Sequence, residues 1–275
     1  MSAHIKIPQA HHRLSIHIGV NGLSFVVEDT QNDDCLLCKS HSYAFPGNDY
    51  NEWAKEVGNV IKQEELLQKR FSNCHVVLDT HRHTLIPSSL FKPERAIEIL
   101  EQLFDVAYLD EINYTTINPL ESTCIYALPA PVNAMVAKHQ HKAKFYAGII
   151  PLLRYIMEQK EYSRALMCYT PTHADLILMQ GERLLLCNSY AIDRFRTALY
   201  FLFFALKQWQ LNPKSLSLYI TGSFTQAHMK QLCTFFPSVT IATNPANPLP
   251  TESMNLLYGP HFFPVSTSAT GTSHG

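Results

Sequence analysis

The stretch SIHIGVNGLSFVV, residues 15–27, reads as a strand, an Asn-Gly turn and a second strand. Nucleotide-binding chains often open on such a hairpin, with an acid just ahead of the glycine to hold a metal. Here His17 takes that place. Other residues invite a chemical reading. Cys35 and Cys38 form a single Cys-x-x-Cys, whereas a zinc ribbon needs a second pair or matched histidines. Residues three apart in a strand face opposite ways, so half-buried thiols are expected instead. His81 with His83, and His139 with His141, are spaced to project together from a strand. A metal needs three or four converging ligands, and no carboxylate or cysteine completes either pair. No metal site is therefore expected. Asp79, His81 and Arg82, in DTHRHTLIP, remain polar candidates. Thr221, Ser223 and Thr225 carry hydroxyls but belong to no Gly-x-Ser-x-Gly elbow. Ser223 and Thr225 fit helix capping, because they sit where a strand gives way to a helix. No catalytic residue is assigned.

These residues need a scaffold, and composition provides for one. The 275 residues are 46% apolar and 16% charged, enough for one large domain or two ordinary ones. Lys plus Arg number 22 against 23 Asp plus Glu, which gives no broad field for nucleic acid, and no nucleic-acid partner is expected. The N-terminus lacks the apolar core of a signal peptide, and the longest apolar run, ALYFLFFAL, is too short to span a bilayer. A cytoplasmic protein with reduced thiols is expected.

Three strands open the chain: LSIHIGV, LSFVVED and CLLCKSHSYAF. A helix follows from about Asn51, with Trp53, Val57, Val60 and Ile61 on one face. CHVVLD is a strand and HRHTLIPSSLF an irregular connector. Pro93 suits the first turn of a helix whose stripe is Ile97, Leu100, Leu103 and Phe104. VAYLDEI, CIYALPA and AKFYAGI read as strands, and IPLLRYIMEQK as a helix closing the first half. The second half repeats the opening: ALMCY, a turn at TPTH, ADLILMQ, a turn at Gly181-Glu182, RLLLCNSY, then a long helix to Trp209. SLSLYITG, the helix FTQAHMKQLCTFF and SVTIA follow, with PTESMNLLYG as a candidate terminal helix. The reading gives domains at 1–162 and 163–265 and a disordered tail at 266–275.

The long helix carries two apolar faces. Phe195, Leu199, Leu202, Leu206 and Trp209 should pack on the second-half sheet. Phe204 points nearly opposite, flanked by Tyr200 and Phe201, where a surface helix is normally polar. Either the terminal segment NLLYGPHFFP covers those rings, or Tyr200, Phe201 and Phe204 form a partner interface.

This order resembles the actin-like ATPase superfamily, which includes sugar kinases and heat-shock chaperones, and within it the pilus-assembly type. It also looks like a bacterial domain-of-unknown-function family with that fold. The likeness is carried best by ALMCYTPTHADLILMQGERLLLCNSYAIDRFRTAL followed by SLYITGS. It implies an α/β protein of two tandem ribonuclease-H-like domains flanking a cleft. In that family the first phosphate loop is an acid, one residue, then glycine. Ile18 and Gly19 fit, but His17 replaces the acid. In the second loop Cys168 or Tyr169 stands for the acid and Thr170 for the glycine. The adenosine segment wants two glycines, and only Gly222 of Gly222-Ser223 matches. CIYALPA, implied to lead toward the residue that orients the attacking water or hydroxyl, ends in Pro129-Ala130-Pro131.

Magnesium prefers oxygen ligands with one or two carboxylates, and phosphoryl transfer leans on such a metal. The expectation is a non-catalytic scaffold or adaptor that binds a protein partner, itself or a small ligand. The alternative is an ATP-dependent kinase or ATPase with atypical metal ligands, which a carboxylate from Glu28, Asp79 or Asp175 at the hairpins would favour. No resident cofactor is expected. If nucleotide or anion binding is retained, motif position assigns it to Gly19, Asn21, Thr170, Thr172, Gly222 and Ser223.

Overall fold

A computed structural model describes residues 10–20, 22–32, 34–43 and 49–242. Asn21, the expected terminal helix and the tail lie outside them. The described residues form two compact units that part between Gly148 and Ile149.

The first unit runs β1 (His12–Gly19), β2 (Gly22–Asp29), β3 (Asp34–Ser42), α1 (Tyr50–Gln63), α2 (Glu65–Gln68), β4 (Asn73–Leu78), β5 (His83–Pro87), α3 (Ala96–Glu101), β6 (Glu111–Ile117), β7 (Ser122–Leu128), α4 (Ala130–Ala137) and β8 (Ala143–Ala147). Its main sheet has the order β3-β2-β1-β4-β8. The hairpin strands pair antiparallel, while β1, β4 and β8 run parallel. Alternation along β1 puts Leu14, Ile16 and Ile18 on one face and Arg13, Ser15 and His17 on the other, and all six are buried. The helix α1 is amphipathic and packs against α4. Asp49 caps its N-terminus by accepting from the Asn51 and Glu52 N–H groups, and Trp53, Val57, Val60 and Ile61 are all buried as their spacing predicts. The opposite face is polar yet buried, with Arg13, Ser15, His17, Ser24, Glu28 and His75. Such groups tolerate burial when bonded to one another. Arg13 Nε donates to Glu28 Oε2 at 2.9 Å.

The connector expected at HRHTLIPSSLF contains strand β5, the edge of a second sheet ordered β5-β7-β6. CIYALPA is the centre of that small sheet rather than a strand of the main one. Ile97 and Leu103 are exposed, not part of a buried stripe; Ala96 and Leu100 pack on Ile112, Ile125 and Ala127. The helix is shorter than its apolar pattern suggests.

The second unit runs α5 (Ile149–Glu158), β9 (Ser163–Tyr169), β10 (His173–Gln180), β11 (Arg183–Ala191), α6 (Phe195–Gln208), β12 (Ser217–Gly222), α7 (Gln226–Phe235) and β13 (Ser238–Ile241). Its sheet, β11-β10-β9-β12-β13, repeats the order of the first. One face carries Met167, Tyr169, Leu176 and Ile220 against α6. The helix α5, read from sequence as closing the first half, belongs here and packs on β9 and β10. Tyr155 meets Tyr219 edge-on at 5.7 Å, and Arg164 Nε donates to the Ile156 carbonyl at 2.7 Å. Of the face expected on α6, Phe195, Leu199, Leu202 and Leu206 are buried, but Trp209 is partly exposed at the helix end. No helix among the described residues is long and apolar enough to cross a membrane.

Candidate functional site

In open α/β sheets, ligands meet the chain at the carboxyl ends of parallel strands. In the first unit those ends are Gly19, Asp79 and Gly148. The backbone joins them directly: Asp79 N donates to the Ile18 carbonyl at 3.0 Å, and Gly148 N to the Leu78 carbonyl at 2.9 Å. His17 Nε2 lies 2.9 Å from Asp79 Oδ1, so the acid missing from the first loop stands on the neighbouring strand, bonded to the residue that replaced it. Both glycines make room for it. A Cβ on Gly19 would lie 2.9 Å from Asp79 Oδ2, and one on Gly148 would lie 2.7 Å from Oδ1. Tyr43 Oη and Trp53 Nε1 both donate to the Gly19 carbonyl, at 2.9 and 3.2 Å, and fix the loop from below. Burial, the largest influence, holds the Tyr43 phenol well above its usual range.

The turn is not built as the sequence suggests. Gly19 pairs with Gly22, so Gly22 belongs to the ladder and not to the turn. Gly22 lies within β2, where a side chain would collide with the His41 carbonyl of β3. Close strand approach, rather than positive φ, requires glycine there.

In the second unit the corresponding ends are Tyr169 and Gly222. Gly222 has φ +102°, and a Cβ on it would strike the Tyr169 carbonyl. Ser223 N donates to that same carbonyl at 2.8 Å. The Tyr169 ring contacts Phe195, Phe224 and His228 at 5.3–5.5 Å, and Phe195 stacks on His228 at 4.0 Å. Four rings thus pack together around Tyr169, whose carbonyl lies against Gly222. The Thr170 hydroxyl accepts from His173 N at 3.0 Å and donates to the His173 carbonyl at 3.1 Å, which commits it to the turn. Thr172 Oγ1 lies 3.1 Å from His173 Nδ1. Thr225 caps α7 in a reciprocal box with His228, whereas Ser223 makes no cap.

The acids named from sequence part company. Glu28 pairs with Arg13 at the far end of β1 from Gly19 and serves the sheet. Asp175 lies opposite Cys168 on β10. Of these three acids, Asp79 is the one that reaches Gly19. CIYALPA, being in the small sheet, does not provide the third end; β8 does, and it finishes in Gly148 without a carboxylate.

Cys35 and Cys38 depart from the strand rule. The pairing of β2 with β3 slips between Val27 and Glu28, so Cys38 faces Val26 and Cys35 faces Glu28. That bulge puts both thiols on one side. Burial, then Cys35 and Glu28, push the Cys38 thiol up to about 12. No group of three His, Cys, Asp or Glu side chains converges among the described residues. A ring nitrogen and one carboxylate already bonded to it do not fit a magnesium ion, which prefers an oxygen shell.

The outer face of α6 carries three aromatic rings. Tyr200 is 60% and Phe204 53% exposed, stacked at 6.0 Å. Phe201 is half-buried and stacks on Tyr190 at 4.2 Å.

The arrangement has counterparts. A Bacteroides thetaiotaomicron protein with an actin-like ATPase fold and unknown function superposes at TM-score 0.76 and 20% identity, over 87% of this chain and 93% of its own. The PilM–PilN type IV pilus biogenesis complex superposes at TM-score 0.52 and 13% identity, over 86% of this chain and 89% of the other. At these identities the likeness is one of fold, and the fold is the actin-like ATPase fold. No curated protein matches the chain. The family model that does match spans residues 4–239, and the chain belongs to that family, described as "Protein of unknown function (DUF3822)".

Proposed function

We propose that this chain is a non-catalytic actin-fold module that binds a protein partner or a second copy of itself. The observation that carries the reading is that side chains of the chain itself crowd Gly19. The His17–Asp79 pair closes on Gly19. At Gly222 the Tyr169 carbonyl lies against the backbone, and the Tyr169 ring packs with Phe195, Phe224 and His228. A phosphate brought to Gly19 would meet the Asp79 carboxylate, one oxygen of which is already bonded to His17. Gly19, Thr170, Thr172, Gly222 and Ser223 then act as architecture. The working surface is the outer face of α6 at Tyr200, Phe201 and Phe204, because exposed aromatic pairs are favoured as interface anchors. The PilM–PilN complex supports the reading in kind, since there a structural relative assembles with a second protein.

Titration calorimetry with ATP, with and without magnesium, tests the reading. No magnesium-dependent binding is expected at millimolar ATP. Tight magnesium-dependent binding would instead favour an ATP-dependent kinase or ATPase, a reading that rests on Asp79 lying at the Gly19 loop. Hydroxyl-radical footprinting tests the surface: Tyr200 and Phe204 should be protected in cell extract relative to the purified chain.

A further inference from the structure

Arg82 follows β4 by a few residues and is held on three sides. Its backbone carbonyl accepts from Ala127 N at 2.9 Å, and its own N–H donates to Thr80 Oγ1 at 3.3 Å. Its guanidinium lies over the Tyr50 ring at 5.0 Å from the centroid. Nη1 pairs with Asp110 and also reaches the Asp105 carbonyl at 3.3 Å. The side chain is only 11% exposed. Asp110 has little left to offer: Oδ1 accepts from Ala130 N at 3.2 Å, and Oδ2, besides pairing with Nη1, accepts from Ala107 N at 3.1 Å.

The remaining edge of Arg82 is the side-on fork. Nε and Nη2 are both shut off from solvent, and neither has a hydrogen-bond partner among the described residues. A buried guanidinium with two parallel donors unmet is disfavoured unless an acceptor reaches them. That fork matches the two oxygens of a carboxylate or phosphoryl group, and bidentate pairing is among the strongest recognition available to arginine.

We infer that the Nε–Nη2 edge of Arg82, backed by Tyr50 and anchored through Asp110, is a binding site for a small oxyanion, a phosphate or carboxylate group. The site is independent of the α6 surface and requires no metal. The anion completes the fork and locks the segment after β4 to the ring at the start of α1. Arg82→Lys keeps the charge but loses the parallel donors.

The test is calorimetry on the full chain with inorganic phosphate in one arm and acetate in the other, for wild type and Arg82→Lys. At least roughly tenfold weaker binding by the variant, in whichever arm the wild type binds, is expected. That arm identifies the anion as phosphate-like or carboxylate-like. Equal affinity of the two proteins, or no binding of either anion at millimolar concentration, overturns the site. If Arg82→Lys does not fold, arginine-labelled wild type decides: one slowly exchanging Nε–H resonance should move on adding the anion. Failure of every such resonance to move would overturn it as surely.

Discussion

Gly222 illustrates how a residue can be chosen for one reason and read for another. Its sequence context suggests room for a ligand, but its φ of +102° and the Tyr169 carbonyl against its Cα give it a backbone duty. Gly222→Ala should lose at least about 2 kcal/mol of stability, measured by urea denaturation, because strain and overlap add. Two buried histidines make a second residue-scale prediction. Burial first, then Arg13 and Lys144, push His75 down to about 3. Burial pushes His83 down to about 4, against its bond to the Thr80 carbonyl. An unfolded imidazole titrates near ~6.5, so between these values the unfolded chain binds more protons. The stability they contribute is complete above that pH and is lost as pH falls toward 3 and 4. The acid limb should steepen by up to about 1.4 kcal/mol per pH unit for each histidine, and His75→Gln should flatten it. Legibility at this scale follows sequence distance. The Thr225 cap was readable because its partner, His228, lies three residues on. The absence of an acid at His17 was readable too. Its bond to Asp79, sixty-two positions away, was not, since only the parallel pairing of β1 with β4 creates it.

Elements show the same division. The α1 stripe and the two hairpins were legible because period and turn chemistry are local. β5 was not, because five residues with a histidine and a proline carry little strand signal, and a pairing with β7 makes the strand. The amphipathic pattern of α5 was plain, yet a stripe does not name the sheet it covers. The bulge opposite Glu28 was likewise invisible, and it reverses the expected facing of Cys35 and Cys38. One pair matters most to the β1–β2 ladder. Arg13 and Glu28 are both nearly sealed from solvent. Glu28→Gln should destabilise by on the order of 3 kcal/mol in chemical denaturation, since it leaves a buried charge without its counter-ion. Replacing both by apolar residues of similar volume should cost far less. On α6, by contrast, Tyr200→Ser with Phe204→Ser should leave stability within roughly 0.5 kcal/mol per site, because both rings face solvent. The same double variant should abolish the footprinting protection, which separates a binding role from a packing one.

At the scale of the molecule, both sheets follow one plan, three antiparallel strands with two parallel strands added beside the first. The repeat was legible in the sequence because strand order and hairpin spacing were kept. The position of the division was not, because it depends on where α5 packs. Prediction at this scale concerns nucleotide: ATP should leave the thermal midpoint unchanged with or without magnesium, because a ligand stabilises only the state that binds it. The two sheets differ most on one face. In the second unit that face receives α5, with Tyr155 against Tyr219. In the first it holds Arg13, Ser15, His17, Glu28 and His75. A shared blueprint has thus produced parts that cannot be exchanged. A chimera that laid a copy of α5 over the first sheet would press an apolar helix on a bonded polar layer, and a chain built from two copies of either unit would inherit one mismatched face.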